Sequence, residues 1–498
     1  MGIIIRQSIK GTVVTYIGAF IGFLTTFFVS TKFLAPEEIG LAQMLLSVAM
    51  LISGIAVMGL PTSGVKFFPY FKNYEKNHNG FFFYTVVMAF FGIILTFILA
   101  LLFKDQITLF FSKKAALFVN YFYVVFPLAF FYAYLLIFEM YSAVLMRVVV
   151  PKFVREVLIR IVTLTVFLLY AFRFISLDWM IYLYVCSYVT ASLIDFIYIS
   201  KISSISLKHN TSYIKKPLRK YIFSFTGYMV FSTLSGEVIS RIDMFMVTAF
   251  SGLAFTGIYS IALFMANIIE IPSRSLASIS MPLISSYIKE KKMLKAEDLL
   301  KRASLNQFLI GAFIFMILWI NIDNVYGVLP NGEVFAQGKM VVLFLGLARL
   351  SYLLGNLSFS TLSISKYYYY TLFFVIFLSA LTIFGNYILI PKFGMTGASI
   401  STLASIFIYY SVVVSLVNWK LKINPFSKGM LKVIVLAGGL ILLNSFIPMI
   451  MNYYIDAVIR SFLLGGIFIF VTYFWNISPE SNNIIRNISN KFFSYFEK

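Results

Sequence analysis

The sequence predicts an all-α integral membrane protein with about fourteen transmembrane helices. Of its 498 residues, 60% are hydrophobic and only 12% are charged, whereas soluble proteins carry about 25% charged residues. The apolar residues form long runs separated by short polar breaks, as in helices that satisfy their own backbone hydrogen bonds inside a bilayer. A transmembrane barrel would instead alternate apolar and polar residues over about ten positions, and no such alternation is sustained.

Each apolar run is close to the length of about twenty residues that a helix needs to cross the bilayer. The first run is too long for the apolar region of a signal peptide, so we interpret it as the first transmembrane helix. The candidate spans are 11–34, 39–60, 80–103, 117–141, 151–172, 178–200, 219–247, 253–274, 299–320, 338–360, 367–390, 394–418, 430–450 and 455–475.

The positive charges indicate an orientation. When the N-terminus is placed in the cytoplasm, most of the 40 Lys and Arg residues fall in cytoplasmic segments, as the positive-inside rule requires. A missed helix would place every later loop on the wrong side of the membrane. The bias of positive charges toward the cytoplasmic side therefore predicts an even number of helices with both termini in the cytoplasm. The net charge of +21 suits anionic lipid headgroups, and we expect no binding of nucleic acid because no basic soluble domain is present.

A basic segment near the middle of the chain suggests its organisation. We predict an N-terminal lobe of six helices, a cytoplasmic basic linker, a C-terminal lobe of helices seven to twelve, two further helices and a cytoplasmic tail. The corresponding ranges are 1–200, 201–218, 219–422, 423–475 and 476–498. The tail is predicted to be either an amphipathic surface helix or disordered. Residues 38–41 (EIGL) and 256–259 (TGIY) each open a span, a weak echo of the kind expected after duplication.

Charged residues inside the predicted spans are costly and therefore mark candidate functional positions. In the seventh span, Glu237 and Arg241 are four residues apart, so they share a helix face and can pair. Asp243 is six residues from Glu237, so it lies on a different face of the same helix and should meet another partner. The eighth span repeats the pair with Glu270 and Arg274, beside a proline that can kink the helix.

Three further charges lie in other spans: Glu139, Asp195 and Arg349. Two interpretations stay open for all these groups. They can pair with one another and pin helices together, or they can line a polar cavity. Such a cavity would suit an anionic or hydroxylated substrate, because arginine binds phosphate in a bidentate way and carboxylates accept hydrogen bonds from sugar hydroxyls. An isolated carboxylate could also carry a coupling proton or sodium ion.

The sequence carries no motif for catalysis. It has no phosphate-binding loop of the Walker type, and its single cysteine, Cys186, and two histidines give no metal-ligand spacing. No large segment outside the predicted spans could hold a glycosyltransferase or polymerase site. We therefore predict a carrier rather than an enzyme, with no cofactor apart from a coupling Na⁺ or H⁺.

Three segments resemble the polysaccharide transporters of the multidrug/oligosaccharidyl-lipid/polysaccharide exporter superfamily. Residues 386–402 (NYILIPKFGMTGASIST) are similar to the junction between the eleventh and twelfth helices of that family. Residues 33–41 (FLAPEEIGL) resemble its first connection, and Gly59-Leu60 followed by residues 66–69 (KFFP) resembles the end of its second helix. The resemblance covers most of the chain. In physical terms, Pro391 and Gly394 should form a tight turn between two spans.

The resemblance implies a Wzx-like flippase in the bacterial inner membrane, with two six-helix lobes in a V-shaped arrangement around a cationic cavity. It would move a polyprenyl-diphosphate-linked oligosaccharide (an O-antigen, capsule or similar repeat unit) between leaflets by alternating access, driven by an ion gradient. A polysaccharide polymerase or glycosyltransferases of the same pathway would be its partners. Within that picture we assign Arg241, Arg274, Arg349 and Lys66 to substrate binding, with Glu237, Asp243 and Glu270 tuning the cavity or carrying the coupling ion.

Three other functions compete with this interpretation. A multidrug or organic-cation antiporter of the same superfamily would need an acidic cavity with few cations, which the arginines disfavour. A membrane glycosyltransferase or ligase would need a long outer loop with catalytic side chains. A scaffold without transport activity would tolerate replacement of Arg241 and Arg274.

Overall fold

The computed structural model describes residues 2–73, 77–203, 216–483 and 486. The chain divides into two compact units, Met1–Gly257 and Ile258–Lys498, and every regular element in the described ranges is helical. This division of the chain differs in kind from the division into lobes that the sequence predicts. The predicted lobes, 1–200 and 219–422, therefore stay a prediction. Most of the predicted basic linker and of the tail lies outside the described residues.

The first unit begins with a long helix that contains a π-helical turn, Thr25–Ser30, and a second such turn, Val154–Leu158, lies inside a later helix. A π-helical turn holds one extra residue and is frequent at functional sites. The helices of this unit are α1 (Gly2–Leu24), α2 (Thr31–Phe33), α3 (Pro36–Ala56), α4 (Leu60–Phe71), α5 (Phe81–Leu102), α6 (Lys104–Ser112), α7 (Ala116–Asn120), α8 (Val125–Val144), α9 (Val149–Phe153), α10 (Ile159–Ala171), α11 (Leu177–Ile202) and α12 (Lys216–Ser251).

The remaining helices belong to the second unit, except that α13 crosses the division between the two. They are α13 (Leu253–Asn267), α14 (Ile271–Lys289), α15 (Met293–Ile320), α16 (Ile322–Val328), α17 (Gly332–Phe335), α18 (Lys339–Ile364), α19 (Tyr370–Leu421), α20 (Lys428–Asn444) and α21 (Tyr453–Phe474).

The start of α3 shows why the predicted second span begins where it does. Pro36 occupies the first turn, where its missing N–H leaves no hydrogen bond unmade. The Glu38 carboxylate accepts a hydrogen bond from the Ala35 N–H at 2.9 Å, and negative charge is favoured at a helix N-terminus. The helix ends at Ala56, and Met58 and Gly59, which follow it, have φ angles of 49° and 67°.

The longest helical stretch, α19, is two antiparallel helices joined at a sharp turn. Gly394 has φ 58° and ψ −140°, a conformation that is accessible chiefly to glycine. Thr382 lies before this turn and Ser401 lies after it. The Ser401 hydroxyl donates a hydrogen bond to the Thr382 carbonyl at 3.2 Å, so the two halves lie side by side. The tight turn predicted at Pro391 and Gly394 is therefore confirmed.

By length and composition, the described residues contain ten helices apolar enough to cross a membrane. One of them, Tyr370–Leu421, covers the two predicted spans that meet at Gly394. The predicted spans 151–172, 219–247 and 430–450 have no counterpart among the ten. Residues 151–172 carry four charged side chains, and α20 is only 17 residues long. The all-helical membrane fold is confirmed, whereas the number fourteen stays a prediction.

The described start of the predicted tail packs on the second unit. Ile477 belongs to the hydrophobic core formed by α15, α18, α20 and α21. The Ser478 hydroxyl donates to the Asn306 side-chain oxygen at 2.6 Å, and the Lys432 ammonium donates to the Trp475 carbonyl at 3.0 Å. These contacts hold the chain against α15 and α20 after the last long helix.

Candidate substrate-binding residues

In the first unit, Arg241 and Glu237 form the local ion pair that their spacing predicts. One guanidinium nitrogen of Arg241 donates to the Glu237 carboxylate and to the Ser240 hydroxyl. The other donates to the Met50 sulfur of α3 at 3.1 Å. Both charged side chains are half-buried. The pair therefore bridges one turn of α12 and also contacts the neighbouring helix.

Two glycines allow α12 to approach the junction of α3 and α4. A Cβ atom on Gly54 would lie 2.5 Å from Cγ of Glu237, and one on Gly59 would lie 2.6 Å from Cβ of Met229. Real Cβ atoms do not come so close to a neighbour. Close approach through small residues is how membrane helices pack, and here it places the Glu237 carboxylate against α3.

Lys66 lies on α4 among aromatic side chains rather than carboxylates. Its ammonium nitrogen is 3.4 Å from the ring centroid of Phe225 and 5.0 Å from that of Tyr221, both on α12, and 5.6 Å from that of Phe67. Aromatic faces attract cations. Lys66 is exposed, so its charge stays accessible to an anion while the rings fix its position.

In the second unit, a single carboxylate serves two arginines. The Glu270 side chain is 3.1 Å from Arg274, one turn further along, and 3.3 Å from Arg349 on α18. The Glu270 side chain is only 15% exposed and that of Arg349 is 23% exposed, whereas that of Arg274 is 72% exposed. The cluster therefore carries a net positive charge, and the guanidinium of Arg274 is its accessible part.

The local backbone explains how Glu270 reaches both partners. Residues Ile268–Glu270 form a 3₁₀ turn between α13 and α14, and Pro272 follows in the first turn of α14. The Ser273 hydroxyl donates to the Glu270 carbonyl at 2.7 Å. The 3₁₀ turn and the proline interrupt the regular helix. The Glu270 carboxylate can therefore contact α18 and also Arg274, four residues further along the chain.

The two predicted pairs, Glu237 with Arg241 and Glu270 with Arg274, are present in the structure. Asp243 also has an interaction partner. Arg349, which has no partner in its own span, pairs with Glu270 from a helix about eighty residues earlier in the sequence. Arg241 and Arg349 thus make helix-pinning contacts, and Arg274 is the arginine of the three with most of its side chain accessible. The assignment of these residues to substrate binding stays a prediction.

A second charged cluster in the first unit was recognised in the sequence only in part. Arg155, in the π-helical turn, donates to Glu139 of α8 at 2.6 Å and contacts Glu156 at 3.3 Å. Arg160 pairs with Glu156 at 3.1 Å. One feature of the sequence indicates this cluster. Arg155 and Arg160 lie one and four residues from Glu156 within an apolar run, but the residues assigned from the sequence to substrate binding do not include them.

Together these residues provide chemistry for binding an anion. Guanidinium groups donate paired hydrogen bonds to phosphate oxygens, and the net charge of the Glu270 cluster favours an anionic ligand. Among the residues that the structure describes, no group of three His, Cys, Asp or Glu side chains could hold a metal ion.

Comparison with known sequences identifies the family. Residues 4–288 match the family model described as "Polysaccharide biosynthesis protein". A curated relative, the capsular polysaccharide biosynthesis protein CapF of Staphylococcus aureus, is 24% identical over 233 residues. That alignment covers 46% of this chain and 57% of the relative, so it spans little more than half the length of the relative.

Comparison with solved structures identifies the fold. The lipid II flippase MurJ in an inward closed conformation superposes with a TM-score of 0.73 at 14% identity, covering 94% of this chain and 99% of MurJ. An inward-facing multidrug resistance transporter of the MATE family in the MOP superfamily gives a TM-score of 0.65 at 13% identity, with 83% and 98% covered. The resemblance seen in the sequence is thus confirmed, and the chain belongs to the polysaccharide biosynthesis protein family and has the membrane fold that MurJ and MATE transporters share.

Proposed function

We propose that this protein is a flippase that moves a polyprenyl-diphosphate-linked oligosaccharide across the bacterial cytoplasmic membrane. Its family supports a role in polysaccharide biosynthesis, and its fold supports a membrane carrier. In this proposal the protein is a carrier without catalytic activity, works by alternating access coupled to Na⁺ or H⁺, and has both termini in the cytoplasm. Its partners would be the glycosyltransferases or polymerase of the same pathway.

The observation that carries the proposal is the shared carboxylate in the second unit. Because one Glu270 balances two arginines, a positive charge remains, and Arg274 exposes it. A diphosphate carries several negative charges and offers the oxygen geometry that guanidinium groups bind. Lys66 supplies a further accessible cation in the first unit. These positions suit the charged linkage of a lipid-linked glycan better than a neutral or cationic solute.

The test is export of the polysaccharide in a strain that lacks the chromosomal gene. Deletion should abolish the surface polysaccharide and cause the lipid-linked intermediate to accumulate on the cytoplasmic side. Arg274→Gln should reduce surface polysaccharide, and Arg274→Lys should restore part of it because the charge returns without the planar fork. Arg147→Gln removes an exposed arginine from the connection between α8 and α9 and should leave export unchanged. Normal surface polysaccharide in the deletion strain would overturn the proposal.

The MATE-like fold makes an organic-cation antiporter the second candidate. A cation carrier needs a carboxylate that is available to its substrate. Glu237 and Glu270 are instead both paired with arginines, which disfavours this function. Efflux of a cationic dye from vesicles that contain the purified protein would favour the antiporter, whereas accumulation of a lipid-linked glycan in the deletion strain favours the flippase.

A further inference from the structure

Asp195 is a buried carboxylic acid without a partner. It lies in α11, inside the apolar stretch Leu177–Ile202, and its side chain is 0% exposed. Neither of its carboxyl oxygens has a hydrogen-bond partner among the described residues. Polar groups that are buried in proteins are nearly always hydrogen-bonded, so the state of this group needs a physical explanation.

The neighbouring helices place both signs of charge around Asp195. Helix α11 packs against α8, α9, α10 and the π-helical turn Val154–Leu158. The charged groups that act on Asp195 are Glu139 of α8 and Arg155 of that turn. The other ionisable side chains on these elements are Tyr132, Tyr134 and Tyr141 on α8, Lys152 on α9, Glu156 in the turn, and Arg160 and Tyr170 on α10.

The guanidinium groups on the elements that pack against α11 are already engaged. Arg155 donates to Glu139 at 2.6 Å and contacts Glu156 at 3.3 Å. Arg160 donates to Glu156 at 3.1 Å and to the Gly18 carbonyl at 2.5 Å. Of the three carboxyl groups in this cluster, two are therefore paired with arginine, and Asp195 is the one that is left over.

The protonation state of Asp195 follows from this arrangement. An ionised carboxylate that is buried in an apolar helix bundle without a partner is strongly unfavourable, and such groups become neutral instead. Asp195 therefore carries a proton in the conformation seen here. Yet the cluster contains three cations, Lys152, Arg155 and Arg160, beside its three carboxyl groups. Its total charge would accommodate an ionised Asp195 if one cation moved toward it.

We infer that Asp195 is a proton-binding site and that Arg155 controls it by exchanging partners between Glu139 and Asp195. When Arg155 pairs with Glu139, the O–H bond of the Asp195 carboxylic acid is intact. When Arg155 moves to Asp195, that O–H bond breaks and the proton passes to water, while the carboxylate keeps the bonding electron pair. Arg155 lies in a π-helical turn, a feature frequent at functional sites.

This inference names the coupling ion of the proposed flippase as a proton and therefore rests on the proposed function. The first test does not depend on transport. The infrared difference spectrum of the purified protein between neutral and alkaline pH should contain the carbonyl stretch of a protonated carboxylic acid. Asp195→Asn should lack this band. Glu297→Gln, which removes a carboxylate that Lys301 pairs with at 2.7 Å, should keep it. A band that persists in Asp195→Asn would overturn the inference.

A second variant tests the role of Arg155 directly. Glu139→Gln removes the carboxylate that holds the guanidinium, so Arg155 becomes available to Asp195 and the acid should ionise. The infrared band should therefore be lost at neutral pH in Glu139→Gln although Asp195 is still present. If the band were unchanged in this variant, the exchange of partners would be refuted.

The last test links the site to transport. In cells, Asp195→Asn should abolish export of the polysaccharide, and Asp195→Glu, which keeps an acid at this position, should restore part of it. If Asp195→Asn loses the infrared band but exports normally, Asp195 is not the coupling group, while the proposed flippase function stands. If the deletion strain itself exports normally, the proposed function fails, and the infrared result still decides whether Asp195 binds a proton.

Discussion

Gly40 and Gly257 face each other across α3 and α13, and each glycine lies against the backbone of the opposite helix. A Cβ on Gly40 would be 2.0 Å from the carbonyl oxygen of Leu253, and a Cβ on Gly257 would be 2.0 Å from that of Pro36. In both helices the contacted carbonyl lies four residues before the glycine. The contact is therefore reciprocal.

Gly40→Ala should destabilise the protein because its methyl group would meet backbone, which cannot move aside as a flexible side chain can. Overpacking of a tight contact costs about 1–3 kcal/mol. The thermal unfolding temperature of the protein in detergent should fall accordingly. Gly438→Ala is the matched control, since a Cβ there meets nothing within 4 Å. Equal unfolding temperatures for the two variants would show that the close contact of α3 with residues 253–257 is absent in solution.

Arg460 stabilises the connection between α20 and α21. Its guanidinium donates to the Asp456 carboxylate at 2.6 Å, to the Asn444 side-chain oxygen at 2.6 Å, and to the carbonyls of Ile447 and Pro448 at 3.0 Å each. Arg460 and Asp456 are both buried. One side chain therefore satisfies several backbone groups of a loop that has no regular structure of its own.

Arg460→Leu should lower the free energy of unfolding by about 3 kcal/mol or more, because it leaves the buried Asp456 charge without its cation. Arg460→Lys should not restore stability, since an ammonium cannot reproduce the fork. Limited proteolysis should cut residues 445–452 faster in both variants. In the control Arg302→Leu, the lost ion pairs with Asp298 and Glu480 are both exposed, so the change should stay within about 1 kcal/mol.

The sequence predicts contacts that are local and misses those that depend on packing. The pairs Glu237–Arg241 and Glu270–Arg274 follow from a spacing of four along one helix. The turn at Gly394 follows from a proline and a glycine between two apolar runs. Arg349 reaches Glu270 only because α18 packs beside the turn before α14, and the pairing of Arg155 with Glu139 joins two helices. Such contacts need the tertiary structure, because apolar periodicity does not specify which helices are neighbours.

The docking of residues 477–483 should depend on pH through Glu480. Burial acts to raise the pKa of Glu480, but hydrogen bonds from its own backbone N–H, Asn306 and Ser478, with the charge of Arg302, lower it below the ordinary value of 4.5. The docked state thus binds fewer protons than the undocked state. The contribution of Glu480 to docking is therefore complete at pH values above the ordinary pKa. It is lost as the pH falls through the lowered pKa of the docked state.

This pH dependence can be measured at Trp475, which precedes the docked segment. In a variant whose other three tryptophans are replaced by phenylalanine, quenching of Trp475 fluorescence by acrylamide should increase as the pH falls below the ordinary pKa of a glutamate. Glu480→Gln should make quenching independent of pH over the same range. A pH dependence that is unchanged in Glu480→Gln would show that another group controls the docking.

Lys66 allows the charge of a candidate binding residue to be separated from its packing. The ammonium lies over the Phe225 ring at 3.4 Å from its centroid. The Phe67 ring packs edge-on against the rings of Phe225 and Tyr221, with distances between ring centroids of 5.5 and 5.3 Å. A cation over an aromatic ring at an exposed site contributes about 0.5–1 kcal/mol. Lys66→Met keeps the length of the side chain and removes the charge, whereas Phe225→Leu keeps the charge and removes the ring.

Both variants should lose stability in thermal unfolding because each removes the cation–π contact, and Phe225→Leu should lose more because it also removes the packing of Phe225 against Phe67. Only Lys66→Met should reduce surface polysaccharide, since only this variant removes an accessible positive charge that an anionic substrate would meet. Lys66→Arg should restore export and stability, because arginine also packs on aromatic faces. If Lys66→Met and Phe225→Leu reduce export equally, Lys66 acts by holding α4 against α12, and its assignment to substrate binding is wrong.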